Sequence, residues 1–169
     1  MRVVDAAEFA EYFDGIRART RRVVDCVPEE SFDWAPALGR WSFADLVRHL
    51  AAIERYMFAE NVAGRPSRYP GHGRELAEGR EAVLAFLERL HAEAMEIFRA
   101  LSAAELARNC STPAGIEITT WKWLRAMVEH EVHHRGQIYL MLGQLGVPTP
   151  PLYGLTSEQV RERSAPAAD

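Results

Sequence analysis

The chain has 169 residues, 48% of them hydrophobic, which is enough for one domain with a real core. A net charge of -4, with the 20 basic residues scattered along the chain, gives no electrostatic reason to expect nucleic acid or an anionic membrane as partner. Two lone cysteines, Cys26 and Cys110, lack CxxC spacing, which argues against a disulfide scaffold and for a reducing compartment.

Acidic residues interrupt the N-terminus too early for a signal-peptide core, and no stretch reaches the roughly 18 apolar residues of a membrane span, so the expected location is cytoplasmic. The first helix is predicted from about Asp5 to Val27, with Phe9, Phe13, Ile16 and Val23 at helical spacing, ending before Pro28. A connector with Pro36 and Gly39 follows. The second helix starts with Ser42 as N-cap and Asp45 in the first turn, and runs to about Ala63. Its apolar face carries Phe43, Leu46, Leu50, Ile53 and Met57. The segment Gly64–Arg74 holds three glycines and two prolines and reads as a loop.

The third helix is predicted from about Glu75 to Leu101, with Gly79 inside it as a weak point of roughly 1 kcal/mol. Ser102 and Glu105 have capping-box spacing for a short extra turn. A Pro/Gly-containing connector leads to a fourth helix from Thr120 to about Leu145. After Pro148, a short helix at Ser157–Arg163 is expected, then a disordered tail at 164–169. Four amphipathic helices without convincing strands predict an all-α four-helix bundle with long connectors, one domain over 1–163.

The chemistry concentrates in His130-Glu131-Val132-His133-His134-Arg135-Gly136-Gln137. Positions i and i+4 stack on one helix face, so His130 and His134 can aim at a common centre while His133 turns away. His49, beside the apolar face of helix two, is the candidate third ligand. Three imidazoles leave coordination positions open, as catalytic metal sites do. Spacing alone also allows a surface histidine pair and a capped core histidine. His72, between two glycines, is within reach of a ligand role, whereas His91 and His133 read as ordinary. The same residues spell His-Glu-x-x-His, the zinc-protease signature with Glu131 as base, but its longer form needs a histidine where Leu140 stands. Glu131 reads as an ion pair with Arg135 four residues on, or as a group that orients a ligand or bound water.

Trp41-Ser42-Phe43-Ala44-Asp45-Leu46-Val47-Arg48-His49-Leu50 resembles the helix-two signature of the DinB-like family, and the His130–Gln137 segment resembles its helix-four signature. Thr112-Pro113-Ala114-Gly115 and the Pro148–Leu155 tail also look typical. The resemblance covers nearly the whole chain. It implies a DinB-type bundle, frequently a homodimer, and one divalent ion, zinc or nickel, on His49, His130 and His134. Some relatives are transferases for a low-molecular-weight thiol (bacillithiol, mycothiol or glutathione). The leading expectation is such a transferase acting on a small-molecule electrophile, with metal-assisted hydrolysis and non-catalytic metal or small-molecule binding as alternatives. The Gly64–Arg74 loop and Trp41, Tyr56, Trp123 and Tyr139 are candidates for shaping the pocket. Cys26 and Cys110 are assigned no catalytic role.

Overall fold

A computed structural model describes residues 2–164. Four long helical rods form a bundle. Helix α1 spans Ala6–Val24, capped by the Asp5 carboxylate, which accepts from the Glu8 N–H. Helix α2 spans Phe43–Ile53, continues through a π-helical turn at Glu54–Phe58, and ends as α3, Ala59–Val62. Helix α4 spans Arg80–Arg99 and α5, Ala103–Ala107. Helix α6 spans Thr120–Gln144 and α7, Ser157–Arg163.

The tight pairings are α2 with α4, α1 with α6, α1 with α4 and α2 with α6. Helices that follow one another across the long connectors, α1 then α2 and α4 then α6, therefore occupy opposite corners. The length of those connectors is what permits the diagonal crossings.

Both predicted N-caps form full capping boxes. The Ser42 N–H donates to Asp45 Oδ2 at 2.9 Å and the Asp45 N–H returns to Ser42 Oγ at 3.1 Å. Ser102 and Glu105 do the same for α5. Three boundaries differ from expectation. Helix α1 ends at Val24, three residues short of Val27. Gly79 lies outside the third helix: it is the N-cap of α4 at φ +80°, a left-handed conformation that glycine adopts without steric cost, and only a 3-10 turn at Arg74–Leu76 precedes it. The connector after α5 holds a hairpin, β1 (Asn109–Ser111) against β2 (Glu117–Thr119), antiparallel with Cys110 opposite Ile118. Its three-residue strands are too short for visible alternation. Helix α7 lies where expected. Ser164, placed at the start of the tail, caps α7 instead, and the rest of the expected disordered segment lies outside the described residues. No helix among the described residues is long and apolar enough to cross a membrane.

The core falls into two apolar zones. One gathers Val23, Phe43, Leu50, Leu87, Ile138 and Leu142; the other gathers Phe9, Phe13, Phe58, Met95, Phe98 and Leu124. Between them every rod contributes polar groups: Arg17 and Thr20 from α1, Glu54 from the π turn, His91 from α4, and Glu131 and Arg135 from α6. All but the half-buried His91 are buried. Buried charge is tolerable only when paired. Arg17 lies between Glu54 and Glu131, the second contact at 3.2 Å. His91 Nδ1 meets Glu54 at 2.8 Å and its Nε2 meets Asp14 at 3.1 Å.

Candidate metal centre

His49 stands on α2 five residues before the π turn, and His130 and His134 stand on α6. The tight packing of α2 on α6 brings the three rings together. His130 Nε2 lies 3.0 Å from both His49 Nε2 and His134 Nε2, and one ligand atom from each residue falls within 4.8 Å of the others. Three imidazole nitrogens facing one another are poorly arranged by themselves, because ring lone pairs converge. The arrangement fits a divalent cation shared among them.

The outer nitrogens select the tautomer. His134 Nδ1 donates to Gln137 Oε1, which can only accept, at 2.7 Å, and His49 Nδ1 lies 2.6 Å from the Tyr69 hydroxyl, which can take its proton. With Nδ1 as donor in each pair, Nε2 is left as a lone-pair donor toward the centre. Burial, and then the neighbouring His134 and His130 rings, bring His49 down to about 3. Burial, followed by His134, brings His130 down to about 4. His134 is also lowered, by burial, although its bond to Gln137 opposes this. All three rings are thus neutral near pH 7, the form in which imidazole ligates metal.

The loop between α3 and α4 is fastened onto this site by two buried side chains. Arg48, 1% exposed, donates from Nε to the His72 carbonyl at 2.8 Å, from Nη1 to the Ala77 carbonyl at 3.1 Å and from Nη2 to Asp45 at 2.6 Å. Glu60 accepts from Arg55, Arg65 and Arg68. Burial opposes its ionisation, yet these three cations hold Glu60 at about 2. The fastened loop delivers Tyr69 and His72. His72 is not one of the converging three: its Nδ1 lies 3.5 Å from the Tyr69 hydroxyl and its ring packs on Trp41 at 4.1 Å.

Of the aromatics expected to shape the pocket, Trp41 does so, with its ring 4.8 Å from His49 and 5.8 Å from His134. Trp123 reaches the site only through Phe58, whose ring is 5.9 Å from His130. Tyr139 instead bonds the Pro150 carbonyl, and Tyr56 packs against the first apolar zone. Neither lines the centre.

Glu131 corrects its expected roles. It is 2% exposed and faces Arg17. Arg135, its expected partner, donates to the Ile16 carbonyl at 3.4 Å. Position 131 is one residue, about 100° of helix, from His130, and that rotation aims it into the bundle centre, away from the three nitrogens. Burial pushes its carboxyl up, partly offset by Arg17. The groups that do orient the histidines, Tyr69 and Gln137, were not singled out for that role from sequence. Gln137 had a signal, three residues after His134 on the same helix face. Tyr69 had none, since a loop fixes no distance to His49. His133 lies beside His134 with ring centres 4.9 Å apart, on the exposed side. Cys110 is buried in β1, opposite Ile118.

The fold and site together define a helical bundle of diagonal connectivity carrying a three-histidine cluster between two of its rods. The profile of the DinB superfamily matches residues 12–138, and the chain belongs to that family. It is similar to YjoA of Bacillus subtilis (strain 168), at 24% identity over 149 residues, covering 86% of this chain and 94% of the relative. The YjoA crystal structure superposes with a TM-score of 0.70 at 19% identity, over 88% of this chain and 99% of that one. A DinB-like protein from Bacillus cereus ATCC 10987 gives 0.69 at 17% identity, over 85% and 94%. YfiT from Bacillus subtilis, described as "a probable metal-dependent hydrolase with an unusual four-helix bundle topology", gives 0.63 at 19%, over 85% and 89%.

Proposed function

We propose that this protein is a metal-dependent transferase that joins a low-molecular-weight thiol to a small electrophile. The observation that carries the reading is the open three-histidine centre, with no carboxylate among the described residues in the cluster: Glu131 is turned away and held by Arg17. His49, His130 and His134 would hold the ion, zinc or nickel. Bound there, it would lower the pKa of a coordinated thiol so that thiolate forms at neutral pH. The chain then needs no nucleophile and no general base of its own. Tyr69 and Gln137 fix the orientation of His49 and His134, and Trp41 covers one side of the cluster. In the reaction the cosubstrate sulfur forms a bond to an electrophilic carbon, the leaving group departs with its electron pair, and the thiol proton goes to solvent. Bacillithiol, mycothiol and glutathione are the candidate cosubstrates.

Metal-assisted hydrolysis is the second reading. The same open donor set can activate water, and the similar protein YfiT carries that description. The absence of a carboxylate base at the cluster places it behind thiol transfer.

Monochlorobimane and each thiol, incubated with metal-loaded protein, decide between them. Fluorescent conjugate should form, require metal, and vanish in His134→Ala while helical circular dichroism stays unchanged. Thiol-independent ester cleavage would favour hydrolysis. No conjugation with any thiol across a panel of electrophiles would leave a binding protein. The proposal includes a homodimer; sedimentation at 19.1 kDa in micromolar solution would refute pairing.

A further inference from the structure

A cavity of about 380 Å³ opens directly against the histidine centre, with His134 in its wall. That volume is of the size that takes small organic molecules. Its other walls include Trp41, Leu46, Leu140 and Met141. Leu140 is 68% exposed and Trp41 36%. An apolar side chain so exposed on the lip of a cavity gains by being covered. The polar side chains around the cavity are the His134 ring, the Gln137 and Gln144 amides and one cation, Arg40; no carboxylate among the described residues lines it. Arg40 is exposed, and no hydrogen bond or ion pair engages its guanidinium among the described residues. Most other arginines around the centre are committed: Arg48 to the loop, Arg17 to the central layer, and Arg55, Arg65 and Arg68 to Glu60.

We propose that this cavity binds a small apolar acid, an aryl or alkyl group seated against Trp41, Leu46, Leu140 and Met141 with its carboxylate on Arg40, and that this defines the substrate class of the adjoining centre. Charge complementarity selects the occupant. A neutral apolar molecule would leave the guanidinium idle, and a cation would meet Arg40 with no acid to offset it. Guanidinium and carboxylate match as a planar, two-bond pair. The distance between the two ends is useful chemically. The acid group is fixed at the rim on Arg40, and the part of the molecule lying against His134 is the part exposed to attack. The inference rests on the proposed function for its catalytic meaning, but its binding content stands separately.

The test measures binding without turnover. 4-Phenylbutyrate and its neutral amide, 4-phenylbutanamide, are titrated into metal-free and metal-loaded protein, followed by calorimetry and by tryptophan fluorescence. The acid should bind about tenfold more tightly than the amide, in both forms of the protein. Arg40→Ala should remove that preference while leaving amide binding unchanged, and Arg40→Lys should restore part of it. Leu140→Gln should weaken both ligands. Equal affinity for acid and amide would overturn the proposal. So would a preference for the acid that needs metal and survives Arg40→Ala, because the carboxylate would then be a metal ligand. Arg40-dependent binding in a protein that conjugates no thiol would keep the cavity assignment and sink the transferase reading alone.

Discussion

Histidines in two regions of this bundle meet opposite surroundings. His49, His130 and His134 face one another between α2 and α6, and burial with mutual repulsion keeps them neutral. His91, on α4, lies between Glu54 and Asp14. Burial opposes its charging as well, but the hydrogen bond and charge of Glu54, with the bond to Asp14, together outweigh it, and His91 is raised. The same ring is a neutral member of a histidine cluster in one place and half of an ion pair in the other. What differs is the charge of the groups facing it: other imidazoles in the first case, carboxylates in the second. The central layer holds the rods in register through charge; the cluster beside it includes no carboxylate among the described residues, which fits it for a cation.

Breaking the central layer should have the largest effect on the fold. Arg17→Met removes the cation between Glu54 and Glu131 and leaves buried acid unpaired, with an expected loss of about 3–5 kcal/mol in denaturant unfolding. A loss below 1 kcal/mol would show that the layer is not an electrostatic unit.

Next come the groups that aim the histidines. Tyr69→Phe and Gln137→Ala each keep all three rings but remove the acceptor for one outer nitrogen. Each should weaken metal affinity by about 10–100-fold, measured by chelator competition, with the melting temperature of the metal-free protein little changed. Wild-type affinity in both variants would leave the tautomer argument without support.

The pH dependence separates the two regions by sign. A histidine in the unfolded chain titrates near 6.5. For His49 and His130 the folded values, about 3 and about 4, are lower, so the unfolded chain binds more protons in between. Stability of the metal-free protein should therefore fall as pH drops from about 6.5 toward 4. His91 works in reverse: its folded value is raised, so its contribution is full below 6.5 and is lost as pH rises through that value. Thermal melts should show the same acid-side decline below about 6.5 in the wild type and in His91→Gln, while the stability that the wild type loses as pH rises above 6.5 should be missing in the variant. A variant that loses more stability than the wild type as pH rises above 6.5 would reverse the sign assigned to His91. The smallest effect belongs to His133→Ala, an exposed site: stability within about 0.5 kcal/mol and unchanged metal content.

Much of this was legible from sequence because it is local. The i,i+4 spacing of His130 and His134, the N-cap at Ser42, the capping box at Ser102, and the apolar stripes all depend on helix geometry within a few residues. What escaped depends on packing between rods. Glu131 reads as a partner for Arg135 on its own helix, but the diagonal topology brings Arg17 of α1 closer. The π turn at Glu54–Phe58 left no mark in the pattern; it carries Glu54 to the central layer and Phe58 toward His130. Gly79 reads as a weak residue inside the third helix, whereas its positive φ places it outside, as the cap of α4. Tyr69 reaches His49 because Arg48 and Glu60 fasten a loop, which no spacing rule anticipates.

The central claim is that His49, His130 and His134 together hold one divalent ion. Elemental analysis of the purified protein, beside His49→Ala, His130→Ala, His134→Ala and His133→Ala, tests it most directly. The account predicts close to one ion per chain in the wild type and in His133→Ala, and loss of most of it in each of the other three. Equal metal in all four variants, or none in the wild type after incubation with zinc or nickel, would contradict it.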